Sequence, residues 1–519
     1  MAHRFMRQHL KSMTSPAPSQ NSRRKTLEHI AAENNNHPLK RSLTATQLLF
    51  MGVGTTVGAG VYVMTGTAAA NYAGPSILLS FLIAAAACLF TALCYGELAS
   101  SFPVSGSAYS YAYISMGEKA AWTVGWLLLL EYGISCTGVA SGLSGYLTSL
   151  LDTFNLHIPA FLTHSTLQPL PGGDDTVLTY HWQIDLVGLL AVCAVTALLV
   201  RGVEESARFN TVVVGLKVGV LLLFLIMGVS FVNPANWHPF IPPSEGNFHY
   251  GITGIFRAAS IMFFAYAGFE AVSTASAEAR NPTRDIPIGI IGSLVICTII
   301  YVAVAAVLLG IVPYRSLNVA DPLAIATKTM HKPWLALLVN SGATIGLCSV
   351  LLGLMYGQTR VLLTVGRDRL IPEIFSRIHP KFRTPWLGTL IIGALVGFMT
   401  ATMPIDIISD LVSIGTALAF AIVCFTVIWQ RNQAPDATRP FKVPLGGFTI
   451  KGIWVGIVPT LGIVFCILMA LPLTINMFHA VIMGNPIPLI LIVTYVALGV
   501  LTYQCYGKKN SVMAQNKEP

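Results

Sequence analysis

Long apolar windows separated by short polar stretches recur along almost the whole chain. Twelve of them approach or exceed the roughly 17 to 25 residues that carry a helix across about 30 Å of hydrocarbon at 1.5 Å per residue. They run over about 46–70, 74–100, 119–151, 184–201, 208–232, 252–278, 286–312, 334–365, 386–403, 407–430, 453–477 and 484–506. The pattern predicts an all-α integral membrane protein with about twelve crossings. Residues 1–42 are polar, basic and rich in Ser, Asn and Gln, without the early apolar core of a secretory signal. They read as a disordered cytoplasmic tail, and 507–519 as a second, short one.

Composition agrees: of 519 residues 54% are hydrophobic and 10% charged, against about 25% charged in soluble domains. The net charge of +9 has a topological origin. Of the 31 Lys and Arg residues, 26 fall in the N-terminal tail and every second loop, three (Arg315, Lys328, Lys332) in the opposite loops, and two within spans. That asymmetry predicts both termini in the cytoplasm and contact with lipid headgroups, not nucleic acid. The long loop over 152–183 has no Lys or Arg and the chain has no Asn-x-Ser/Thr sequon, which points to a bacterial inner membrane. All nine cysteines fall in predicted spans at no metal-ligand spacing, so they read as small buried hydrophobes, with neither a metal site nor disulfides expected.

An ionisable side chain at the bilayer centre costs about 2.5–3.5 kcal/mol even on the lenient insertion scale, so each is a candidate functional group. Lys217 lies nine residues, roughly 14 Å, past Arg208 and is too deep to snorkel out. Glu131, in WLLLLEYGISCTGVASG, must face the bundle interior, where it contacts a substrate, lies on a proton path, or bonds between helices. Arg257 and Glu270 flank MFFAYAG, about 20 Å apart on a continuous helix, with Arg257 near the outer mouth. Glu97 and Glu278 fall at helix ends, where water or arginine can satisfy them.

The first span carries GVGTTVGAGVYVMTG at 52–66, five glycines in fifteen residues. Each costs roughly 0.5–1 kcal/mol relative to Ala in a helix. Close helix packing is one explanation, and a broken helix whose free amides face an anion is another. The sixth span supplies a second candidate break at FFAYAGFEAVSTAS, and breaks in spans one and six are what a five-plus-five inverted repeat predicts. Amide donors and carbonyl acceptors brought together at mid-membrane suit a zwitterion such as an α-amino acid. The repeats would cover 43–232 and 233–430, with two further helices over 431–506.

GVGTTVGAGVYVMTG, AGPSILLSFLIAA, CYGELASSFPVSGSAYSYAY, FFAYAGFEAVSTASAEARNPTRDIPIGI and YGQTRVLLTVGRDRLIP occur in this order. Over most of 40–430 the chain resembles the amino acid–polyamine–organocation (APC) superfamily, and within it the cationic amino acid transporter branch with its bacterial relatives. The resemblance implies a LeuT-like fold, alternating access and a secondary active amino acid permease, as proton symporter or as exchanger. It implies that amides of Gly58, Ala59 and Gly60 bind the substrate carboxylate. Carbonyls of Thr56 or Val57 and of Phe264, Ala265 and Ala267 would bind its amino group, and Phe264 would also form a thin outer gate. Lys217 matches a fifth-helix lysine of proton-coupled relatives, which implies a proton rather than sodium as coupling ion and no other cofactor. Two positions depart from the common pattern, Ala59 where Ser or Thr is frequent and Glu270 where Asp is common; Glu270 is read as a gating residue. The branch includes carriers of cationic and of small neutral amino acids, so substrate charge stays open. A channel finds no filter-like sequence and an enzyme neither HExxH nor GxSxG, whereas a sensor that binds an amino acid without moving it stays open. A small accessory membrane subunit would leave no motif in this sequence.

Overall fold

The computed structural model describes residues 23–25, 43–102, 104, 106–169, 178–202, 207–276 and 278–515. The rest of the expected N-terminal tail lies outside the described residues. The first crossing is in two pieces, α1 (Ala45–Thr56) and a helical run over 60–73 that is π-wound at Gly60–Met64 and Ala69–Ala73. Thr44 starts α1 with a capping box, its hydroxyl accepting from the Gln47 amide while the Gln47 side chain accepts from the Thr44 amide. Gly74, at φ +59, turns the chain into α2 (Ile77–Ser101).

There follow α3 (Ser107–Ser115), α4 (Glu118–Thr153), α5 (Leu186–Arg201), α6 (Ala207–Gly228) and α7 (Gly251–Ala265). A 3₁₀ segment, Phe269–Ala275, completes the sixth crossing, and α8 (Pro282–Ile311), α9 (Pro322–Thr329), α10 (Pro333–Arg367), α11 (Trp386–Thr402), α12 (Ile405–Gln433), α13 (Ile457–Ile482) and α14 (Ile487–Thr502) follow. Each predicted window holds a helix; nine helical runs among the described residues are long and apolar enough to cross a membrane, and α5 and α11 are shorter apolar helices. Short helices α3 and α9 occupy stretches read as loops, being too short or too polar to register as spans. Two hairpins, β1–β2 (Leu167–Pro169, Leu178–Tyr180) and β3–β4 (Gly447–Ile450, Ile453–Gly456), lie outside the helices. The eleventh window opened four residues early because β4 is as apolar as the helix it feeds.

The bundle is organised around α4, which packs on α10 and α12, while α8 packs on α1 and α2. Small residues on α4 permit the approach: Gly142 lies against Val63, Gly133 against Gln358 and Gly145 against Ala320. Helix ends on the face that carries the termini are tied by ion pairs. Buried Glu97 receives Arg431 through Nε at 2.8 Å and through Nη2, and accepts from the Val443 amide at 2.7 Å. Glu278 is half-buried between the 3₁₀ segment and α8; burial pushes its carboxyl up, and Arg360 opposes this. Arg23 pairs with Glu118 at 3.0 Å and reaches the Lys508 carbonyl at 2.8 Å, so the N- and C-terminal segments meet. Lys25 pairs at 2.5 Å with Asp368, which also accepts from the Tyr109 hydroxyl. Arg23 and Lys25 of the tail are therefore docked. The cysteine reading needs one correction: Cys193, Cys348 and Cys505 are exposed on the bundle's outer surface, because apolar patterning alone does not separate lipid-facing from protein-facing positions.

Candidate functional site

The two breaks lie side by side. At the end of α1, Val57 is extended (φ −70°, ψ 95°), and the helix resumes at Gly60. Among the described residues the amides of Gly58 and Ala59 meet no main-chain acceptor. They open the second half-helix at its positive end. The π winding that follows frees carbonyls, and the Tyr146 hydroxyl takes the one of Tyr62 at 2.6 Å. On the carbonyl side of the break, Lys217 Nζ donates to Gly54 O at 2.7 Å and to Val57 O at 3.3 Å. The lysine is fully buried, its stem lying on Gly346, where a Cβ would come within 2.7 Å of Lys217 Cδ.

At the sixth crossing, the amides of Tyr266 and Ala267 close a last turn on the carbonyls of Phe263 and Phe264. Gly268 sits at φ +119°, a region L side chains rarely adopt, and a Cβ there would fall 2.8 Å from the Thr55 carbonyl carbon. The Gly268 amide is capped by Glu270 Oε2 at 2.7 Å, and its carbonyl is reached by Thr55 Oγ1 at 2.8 Å. The Tyr301 hydroxyl joins the two breaks, 2.6 Å from Thr56 O and 3.0 Å from Ala265 O.

These contacts locate the sequence-predicted residues. The carbonyls of Thr56, Val57, Phe264 and Ala265 each hold one partner already, and a carbonyl has a second lone pair. A Cβ at Gly60 would overlap Ala265, coming within 2.5 Å of its Cα, so the missing side chain makes room for the other broken helix. Gly52 likewise packs, on Ser293 and Val272. The Phe264 ring reaches α4 at Gly138, which also lies against Ile408 of α12.

Beside the breaks is a set of buried polar groups without hydrogen-bond partners among the described residues. They include the hydroxyls of Ser135, Ser413 and Tyr95, and beside them lies the Glu131 carboxylate, which has the Thr416 hydroxyl as a side-chain partner. Glu131 and Glu270 lie within electrostatic reach of each other, and the Tyr132 hydroxyl reaches Glu270 at 3.4 Å. Buried polar atoms are seldom left unpaired, so this group of side chains has the chemistry to bind water or a ligand's polar end.

Seven residues before Phe264, Arg257 makes a bidentate pair with Asp410 at 2.8 and 2.7 Å and lies 4.9 Å from the Tyr72 ring centroid. It ties α7 to α12 and to the end of the first crossing. Sequence reasoning passed over Asp410, whose partner is 153 residues away, and over Tyr301 and Thr55. An acidic residue inside the tenth window was the signal for Asp410; a tyrosine or threonine in an apolar span gives none. An apolar crevice of about 510 Å³ lined by Leu79, Leu82, Ile252, Phe256 and Phe465 opens on the outer surface, away from the breaks.

Comparison with known proteins gives a consistent picture. A family model described as amino acid permease matches residues 43–498. The chain is similar to a Bacillus subtilis methylthioribose transporter, 38% identical over 493 residues, 95% of this chain and 98% of that protein. It is similar to the branched-chain amino acid permease BcaP of the same organism, 37% identical over 495 residues, covering 95% and 99%. It is also similar to Arabidopsis thaliana cationic amino acid transporter 4, vacuolar, 37% identical over 416 residues, covering 80% and 67%.

Proposed function

Because the chain belongs to the amino acid permease family, we propose that it moves an α-amino acid by alternating access, as a symporter driven by protons. The observation that carries this reading is Lys217, whose ammonium is bound to carbonyls of the first break. A proton leaving Nζ would release those carbonyls, linking protonation to the geometry of the break. The same ammonium fills the carbonyl cluster a sodium ion would need, which supports proton over sodium coupling.

The free amides at Gly58 and Ala59, with that of Gly60, receive the substrate carboxylate. The carbonyls of Thr56, Val57, Phe264, Ala265 and Ala267 receive its ammonium. Phe264 closes the site outward beneath the Arg257–Asp410 pair, and Glu270, which caps the second break, is the gating carboxylate. Glu131 with Ser135, Ser413 and Thr416 faces the substrate side chain or the proton path. The orientation we propose has both termini in the cytoplasm of a bacterial inner membrane, following the Lys and Arg distribution.

The test is uptake of labelled amino acids into proteoliposomes under an imposed inward proton gradient without sodium. Competition by all common amino acids accompanies it, together with methylthioribose, the substrate named for one relative. Concentrative uptake abolished by a protonophore is expected. Uptake only in exchange for preloaded amino acid would replace symport by exchange, and displacement by methylthioribose alone would replace the substrate class.

A further inference from the structure

The chain between α12 and α13 ends in the hairpin β3–β4, whose two faces differ. Its register sets Phe448 opposite Val455 and Ile450 opposite Ile453, so these four share a face; Gly447, Thr449, Trp454 and Gly456 share the other. The second face is occupied at Trp454, while Thr449 is exposed. The Trp454 indole lies across Gly447 and Gly456, where a Cβ would crowd its ring, and Arg431 sits 4.2 Å from its centroid. Asn432 accepts from the Trp454 amide at 2.7 Å and donates to its carbonyl at 2.9 Å, clamping the hairpin to the end of α12.

On the first face Val455 is half-buried, and no side-chain clamp among the described residues covers the rest. Phe448 and Ile450 are each 51% exposed, Ile453 57%, and Leu445, just before β3, 69%. Strand β4 runs directly into α13, whose first residue, Ile457, is again exposed. The apolar face is thus continuous with the lipid-facing side of a crossing. From Ala437 to Gly456 the chain has Arg439, Lys442 and Lys451 and neither Asp nor Glu. Arg439 turns to Glu97, leaving Lys442 and Lys451 exposed. Lys451 (φ +49°) and Gly452 (φ +83°) form the hairpin tip, a turn that ordinarily takes Asn-Gly.

We propose that this hairpin is a membrane-surface foot. The Phe448, Ile450, Ile453 and Val455 face enters the headgroup layer beside α13, and Lys442 and Lys451 bind anionic phospholipid headgroups. The partner is a bilayer surface because the apolar face adjoins the hydrocarbon, is flanked by uncompensated positive charge, and is small beside the ~800 Å² each side of a stable protein interface covers. On the orientation proposed above this is the cytoplasmic leaflet, but the contact itself does not depend on orientation or on transport.

The full chain in nanodiscs tests it, with Cys193, Cys348 and Cys505 changed to Ser and an environment-sensitive fluorophore attached through Phe448→Cys, Ile450→Cys or, on the clamped face, Thr449→Cys. Labels at 448 and 450 should be blue-shifted and quenched by brominated phosphatidylcholine about threefold more than the label at 449. Phosphatidylglycerol should strengthen the quenching, and Lys442→Glu and Lys451→Glu should each weaken that dependence about fivefold. Equal quenching on the two faces, or indifference to phosphatidylglycerol, overturns the proposal. Shielding of the 448 label only by added soluble protein overturns it in favour of a protein partner.

Discussion

The two broken helices solve one problem in different ways. A break inside a membrane leaves amides and carbonyls that water cannot satisfy. At the sixth crossing much of the solution is local: Gly268 adopts φ +119° and Glu270, two residues on, caps its amide. At the first crossing it is remote: Lys217 of α6 and Tyr301 of α8 hold the carbonyls of Gly54, Val57 and Thr56. A break held by its own neighbours stays broken whatever its surroundings do. One held by a titratable side chain on another helix can change when that side chain changes charge or moves, which is why we propose coupling at the first.

The comparison is open to direct attack. Lys217→Ala should have the largest functional effect, lowering proton-driven accumulation by about tenfold or more, while leaving Gly54 and Val57 carbonyls unpaired at ~1–3 kcal/mol of stability. Equilibrium binding should fall less, and unchanged concentrative uptake would remove the lysine from coupling. Gly268→Ala combines left-handed strain with a clash on Thr55, so ~1–3 kcal/mol should be lost in thermal unfolding in detergent. Gly60→Ala should lose binding through displacement of Ala265; wild-type affinity in that variant would show that the breaks need not touch.

Tyr301→Phe removes the hydroxyl shared by the breaks, costing ~0.5–1.5 kcal/mol, read as a roughly three- to tenfold loss of affinity. The smallest effect is expected from Glu270→Gln. The amide oxygen can still cap Gly268, so binding measured by scintillation proximity should stay within about threefold of wild type. A collapse of binding there would mean that the charge, and not the cap, supports the second break.

Much of the fold was legible. Windows of apolar residues located the apolar helices, since hydrocarbon thickness fixes helix length. The breaks were legible in pairs: glycines at 52–60 alone suited packing, and only AYAG in the sixth crossing favoured interruption. Glycines within one cluster nonetheless proved to do different things. Gly58 lies in the break, whereas Gly52 and Gly60 make room for neighbouring helices. A glycine records that a side chain is excluded, not what excludes it.

By itself, then, the sequence determined where the apolar helices lie, their segregated charge and the places where the backbone would fail as a helix, because these follow from local composition and spacing. It also marked Lys217, Glu131 and Glu270 as groups needing partners. Tertiary structure decided the partners. Lys217 met the carbonyls of Gly54 and Val57, Arg257 met Asp410, and Glu131 met the Thr416 hydroxyl, although each was equally conspicuous in its apolar span. The reason is geometric: a buried charge must be answered within a few ångströms, and the residue that answers it is chosen by which helices pack together.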